Sequence, residues 1–157
     1  MILYHGTNIR FSNIDLSRSK DKRDFGKGFY TTTIFEQAEH WAKNQYIRYG
    51  GNGSFVKAFD FEQSSDLSVL SFDSMNIEWL EFVKENRTKG GVTHNYDIVK
   101  GPVANDNTMR TIALYISGIY TAEQALEQLA FFKVNNQISF HTQKALNCLH
   151  WKEDKEV

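Results

Sequence analysis

The stretch Phe55-Val56-Lys57-Ala58-Phe59-Asp60-Phe61 puts Phe55, Lys57, Phe59 and Phe61 on one side of an extended chain and Val56, Ala58 and Asp60 on the other. A strand with so aromatic a face needs neighbours in a sheet and an apolar layer against it. At 157 residues the chain is long enough to build that layer once, and two domains would leave each half marginal. Hydrophobic residues at 41% and aromatics at 14% exclude a disordered chain. A single domain over residues 1–157 is expected, with a charged, frayed tail over about residues 150–157.

The remaining elements follow from periodicity and punctuation. Met1 to Tyr4 reads as a buried strand that delivers His5-Gly6-Thr7 to a loop. Asp24-Phe25-Gly26-Lys27-Gly28-Phe29-Tyr30-Thr31-Thr32 reads as a strand introduced by glycines. Thr33-Ile34-Phe35-Glu36 has capping-box spacing, and Phe35, Ala38, Ala42, Tyr46 and Tyr49 continue one helical face until Gly50-Gly51. Leu67 to Phe72 is a short strand, Ile77 to Arg87 a helix, and Tyr96 to Gly101 a strand. Helices follow around Met109 to Ile116 and after Thr121, whose Thr-Ala-Glu-Gln opening is a cap signal. Asn135-Asn136 turns the chain into a strand with Ile138 and Phe140 on one face and Gln137, Ser139 and His141 on the other. Thr142 caps a last short helix carrying Ala145, Leu146 and Leu149. The class is α+β.

Charge and cysteine content narrow the setting. With 18 basic and 19 acidic residues the net charge is -1, which provides no global field for nucleic acid or anionic membrane. The lone Cys148 excludes an internal disulfide and a cysteine-rich zinc site; it reads as a small buried hydrophobe. Neither a signal-like segment nor a membrane-length apolar run is present, so a soluble cytoplasmic protein is expected. The one basic concentration, Arg18-Ser19-Lys20-Asp21-Lys22-Arg23 with Lys27, is a solvated loop or a phosphate-holding one.

No P-loop, zincin, nucleophile-elbow or dinucleotide fingerprint occurs; Gly26-x-Gly28 precedes a strand where that fingerprint should open a helix. Four polar clusters remain: Tyr4 to Thr7, Gly26 to Thr32, Val103 to Asp106, and Gln137 to His141. His5 offers an imidazole donor to a ligand hydroxyl, or is a satisfied strand-end histidine. Tyr30 is a pocket face or a core residue. Asp106 is a functional carboxylate or half of an Asn-Asp turn, and Asp97 is a weaker candidate that reads as a strand-start residue. His141 faces a site or enters the last helix.

Leu3-Tyr4-His5-Gly6-Thr7, the glycine-introduced strand ending in Tyr30-Thr31-Thr32, the helix with Ala38 and Trp41-Ala42, and the late strand before a final helix together resemble the ADP-ribosyltransferase superfamily. Within it the chain is similar to a bacterial branch of the histidine–tyrosine–glutamate type with DFGKGFY, YDIVKGPVAND and NNQISFHT blocks. The resemblance runs from Leu3 to Leu149. It implies a split mixed β-fold in which two small sheets, flanked by helices, grip NAD+ as co-substrate, with no metal. It implies that His5 binds ribose hydroxyls, that Tyr30 stacks on nicotinamide, that Gly6 and Thr7 support the adenosine or ribose side, and that Gly28 and Phe29 shape the nicotinamide slot. Gln137 stands where the family has an acidic residue that orients the ribose, and an amide supplies no negative charge; Asp106 is the candidate to supply it. The implied activity is mono-ADP-ribosyl transfer to a protein or nucleic-acid acceptor, in a toxin or phage-defence setting with a small antitoxin-like protein partner and no membrane. The alternatives are a non-catalytic NAD or nucleotide-binding module and an NAD glycohydrolase.

Overall fold

The computed structural model describes residues 1–104, 108–132 and 135–157. The element order is β1 (Ile2–Thr7), a 3-10 turn (Leu16–Arg18), β2 (Phe29–Thr31), α1 (Phe35–Tyr49), β3 (Phe55–Phe61), β4 (Val69–Ser71), α2 (Ile77–Lys89), β5 (Ile98–Gly101), α3 (Met109–Ile116), α4 (Ala122–Leu129), β6 (Gln137–Phe140), α5 (Gln143–Leu146) and β7 (Leu149–Glu156). The expected α+β class holds, with the strands split between two small sheets. One has three strands in the order β1-β3-β7, the other four in the order β2-β6-β5-β4. Among the described residues a single bridge, Tyr4 with Thr32, joins them.

Alternation along the strands decides what lies between the layers. Leu3 of β1, Phe59 and Phe61 of β3, Phe29 of β2, Ile98 of β5, and Ile138 and Phe140 of β6 form one core between the two sheets, closed by Ala145, Leu146 and Leu149. The opposite side of the four-stranded sheet carries Tyr30 and Val99, which pack with Phe25 against Trp79, Leu80 and Val83 of α2, Ile112 and Tyr115 of α3, and Ala125 and Leu129 of α4. Helix α1 covers the outer side of the three-stranded sheet through Ala38 and Ala42. A Cβ at Gly6 would lie 2.1 Å from the Ala38 carbonyl oxygen, so only glycine lets β1 approach α1 this closely.

Caps behave largely as their residues dictate. Thr121 and Gln124 form a reciprocal capping box at α4, Asn76 accepts from Trp79 N at α2, and Thr142 accepts from Ala145 N at α5. The box expected at Thr33 to Glu36 does not form. Ile34 is the N-cap of α1 and makes no side-chain cap, because Thr32 Oγ1 takes Ile34 N and Thr33 is drawn to Asn136. Tyr46 and Tyr49, expected on the buried face, are 44% and 68% exposed. Cys148 is half-buried at the edge of the inter-sheet core.

The largest correction concerns the tail. Leu149–Glu156 is not frayed: it pairs antiparallel with β3 along its length, from Leu149 opposite Phe61 to Glu156 opposite Phe55. β3 is covered on both faces, and its second row of backbone groups needs partners that the final residues supply. An irregularity at Ala58/Phe59 brings Asp154 opposite Lys57. The Lys57 ammonium then donates to both Asp154 oxygens at 2.8 and 2.9 Å and to the Phe11 carbonyl at 2.8 Å. A lysine on the aromatic face of β3 is thereby neutralised where it is buried.

Candidate functional site

β2 lies at the junction of the sheets and presents opposite faces to the two cores. Phe29 points into the inter-sheet core and stacks on the His5 ring at 4.2 Å between centroids, with Phe59 edge-on behind it. His5 is not at a strand end; it sits inside β1, opposite Lys57 of β3. Its Nδ1 lies 2.7 Å from the Tyr30 carbonyl oxygen, which can only accept, so Nδ1 carries the proton. Burial, first among its influences, lowers the His5 pKa to about 4, and Arg23 and Lys57 push the same way. The ring is therefore neutral near pH 7, and Nε2 presents a lone pair. His5 is equipped to accept a hydrogen bond from a ligand hydroxyl, the reverse of the donor role expected of it.

Tyr30 faces the other way. Its hydroxyl accepts from Phe25 N and donates to the Gly26 carbonyl, holding the loop that leads into β2. Desolvation is the largest influence on the phenol and raises its pKa, so it stays protonated. Over its ring lies the Arg23 guanidinium, with the central carbon 4.3 Å from the centroid; the same group lies 5.0 Å from the centroid of Trp41 on α1. Trp41 is 41% exposed, so this stack borders the surface.

Gln137 opens β6, the strand paired with β2. Its Nε2 donates to Asp24 Oδ2 at 3.0 Å and to the Pro102 carbonyl at 3.1 Å. Both partners are acceptors, which settles the amide orientation and leaves Oε1 as the atom the side chain can offer a ligand. Asp24 is the hub of this corner. Its buried carboxylate also accepts from Arg87 Nε at 2.7 Å, from Arg87 Nη2 and from Ala104 N at 2.9 Å. Asp24 and Arg87 had no assigned role in the sequence. An acidic residue directly before the apolar Phe25, in a loop that enters a strand, was the only local hint.

The other expected site residues divide. Gly28 is needed for packing: a Cβ there would meet His141 Nδ1 at 2.7 Å and the Phe140 carbonyl oxygen at 2.8 Å. Thr7 is buried and exchanges hydrogen bonds with the Ile9 backbone. Gly6 serves the α1 contact described above. Asp97 accepts from Ser68 N and Thr142 Oγ1 and is structural. His141 sits just past β6 on the Gln137 face, as alternation requires. Its Nδ1 donates to the Lys27 carbonyl and its Nε2 lies 2.7 Å from Ser139 Oγ, so it clamps the 25–28 loop from within. Desolvation first, and His94 nearby, lower its pKa to about 4. Asp106 lies outside the described residues. Of the basic loop, Lys20 donates to Gln45 and covers the Tyr49 ring, while Lys22 is exposed with φ of 55°.

Two shallow cavities of about 290 and 300 Å³ mark the surface. The first lies between the Phe11–Ile14 loop and the β3–β7 face; the second, beside Gly101, Pro102 and Gln137, touches this corner. His5 and Tyr30 line neither of the two. Among the described residues no cluster of three or more histidine, cysteine or acidic side chains is arranged to hold a metal, and no helix is long and apolar enough to cross a membrane.

No curated protein matches the chain. The residues that build this corner, from His5 on β1 to Gln137 on β6, all fall within the segment 1–151 matched by one family model, and the chain belongs to that family, described as Protein of unknown function (DUF3990).

Proposed function

We propose that the protein is an NAD-dependent mono-ADP-ribosyltransferase and that the β1–β2 junction receives the nicotinamide riboside half of NAD+. One observation carries this reading: three residues distant in sequence meet through a chain of hydrogen bonds. His5 is tied to the Tyr30 carbonyl, the Tyr30 hydroxyl to the 25–26 backbone, and the adjoining Asp24 to Gln137.

In the reaction the bond between the ribose anomeric carbon and the pyridinium nitrogen breaks, and its electron pair leaves on the ring, neutralising it. An acceptor nucleophile bonds to the anomeric carbon and gives up its proton. The neutral His5 Nε2 accepts a ribose hydroxyl, the Tyr30 ring supports the flat cationic base, and Gln137 Oε1 accepts a second hydroxyl. Asp24, accepting one Gln137 amide hydrogen while Pro102 accepts the other, pushes electron density toward Oε1, so part of a carboxylate's charge reaches the ribose through a neutral side chain. Such contacts accelerate the step to the extent that they tighten as positive charge develops on the ribose.

The test is incubation with NAD labelled in its adenylate half and a bacterial extract. The expected result is a labelled macromolecule and released nicotinamide, both lost in His5→Ala; absence of both products from the folded wild-type protein removes the enzyme reading. The neutral Gln137, with its amide hydrogens committed, favours one second reading, a non-catalytic NAD-binding module, which saturable NAD binding without nicotinamide release identifies. The acceptor, protein or nucleic acid, and a small inhibitory protein partner belong to the proposal as macromolecules to be sought in the same extract.

A further inference from the structure

The face of Tyr30 that would receive a flat cationic ring is already covered by one. The Arg23 guanidinium lies 4.3 Å from the Tyr30 centroid and 5.0 Å from that of Trp41. Guanidinium and N-alkylated pyridinium share what such a slot selects: a planar, delocalised, weakly hydrated single positive charge. Among the described residues Arg23 forms no salt bridge. The adjoining carboxylate, Asp24, is taken by Arg87, Ala104 N and Gln137.

We propose that Arg23 occupies the planar-cation slot between Tyr30 and Trp41 in cis, so that this conformation is self-inhibited and a ligand ring enters only as Arg23 withdraws. The identity of that ring as nicotinamide rests on the function proposed above; occupancy of the slot does not. The local chain suits such a gate. Asp21 is held on Gly91 N and Lys22 N, and Asp24 is held in its buried cluster. The side chain between these anchors can leave while the backbone that positions Tyr30 stays. What retains it is a cation–π contact, weak enough that removing it shifts a binding equilibrium by roughly 3- to 30-fold.

The probe is 1-methylnicotinamide, a pyridinium cation without ribose or phosphate, titrated calorimetrically into the full chain. Arg23→Ala is expected to bind it at least about 5-fold more tightly than wild type, with Arg23→Gln behaving alike. Adding Trp41→Ala to Arg23→Ala should abolish the gain, and neutral nicotinamide should gain less than the cation. Equal or weaker binding by both Arg23 variants, or no binding by either, overturns the proposal, and circular dichroism of Arg23→Gln confirms that a folded protein was measured. NAD consumption is read separately. Tighter probe binding without NAD turnover in any variant would sink the transferase reading and leave the gate standing; NAD turnover unchanged in both Arg23 variants, with no gain for the probe, would do the opposite.

Discussion

Among the described residues two ion pairs are largely buried, one within the three-stranded sheet and one between the loop before β2 and helix α2, and they differ in how they are completed. In the three-stranded sheet, Lys57 meets Asp154 across β3 and β7, one charge against one, and Asp154 keeps about a third of its side-chain surface in water. Beside the four-stranded sheet, Asp24 in the loop before β2 faces Arg87 of α2 in contact, Gln137 of β6 as a donor and the electrostatic influence of Arg23. The first pair is finished by the chain itself and serves packing. The second gathers more positive charge than its single carboxylate balances and ends in a side-chain oxygen and an aromatic face, the groups on which the proposed function rests.

Acid should affect both sheets and most strongly. His5 and His141 have their pKa values lowered to about 4 in the folded protein, against an unfolded value of 6.5. Between those values the unfolded chain binds more protons, so stability is full above pH 6.5 and falls as pH drops toward 4. The expected loss is on the order of 3 kcal/mol for each histidine, read as the urea midpoint across that range. A flat profile would mean that neither imidazole is held neutral.

Removing one partner of each pair separates them next. Asp24→Ala strands Arg87, Ala104 N and the Gln137 amide, and should lower unfolding free energy by about 3–5 kcal/mol. Lys57→Met leaves a partly hydrated Asp154 and should cost about 1–2 kcal/mol. Equal losses in urea melts would erase the distinction between a self-contained pair and a hub.

Gln137→Glu should cost no more than Lys57→Met at pH 7 and less at pH 5, and it has the sharpest diagnostic value. It would set a second carboxylate about where the amide nitrogen now lies, 3.0 Å from Asp24 Oδ2. The two cannot both ionise at ease, so a deficit of about 1–2 kcal/mol against wild type at pH 7 should narrow at pH 5 as one proton is shared. A deficit independent of pH would show that Asp24 does not sense residue 137.

Much of the scaffold was legible because its signals are local. The aromatic alternation of Phe55–Phe61, the caps at Thr121 and Thr142, and the shared face of Gln137, Ser139 and His141 depend on residues within a few positions of one another. Their structural outcomes depend little on the rest of the chain. His5 and Tyr30 stood out for the same reason, as polar or aromatic groups beside glycines, although Gly6 and Gly28 proved to serve an α1 carbonyl and His141.

What composition and periodicity settled on their own is the α+β class and a Phe55–Phe61 strand with one aromatic face. The tertiary structure alone made a strand of the charged Leu149–Glu156, because only the uncovered edge of β3 gives those residues a reason to extend. It alone joined Asp24 to Gln137, 113 positions apart, and set Arg23 between Tyr30 and Trp41. Hydrogen-bond partners and stacking faces at such separations leave no periodic trace, since each residue is locally an ordinary loop or strand side chain until the sheets close around it.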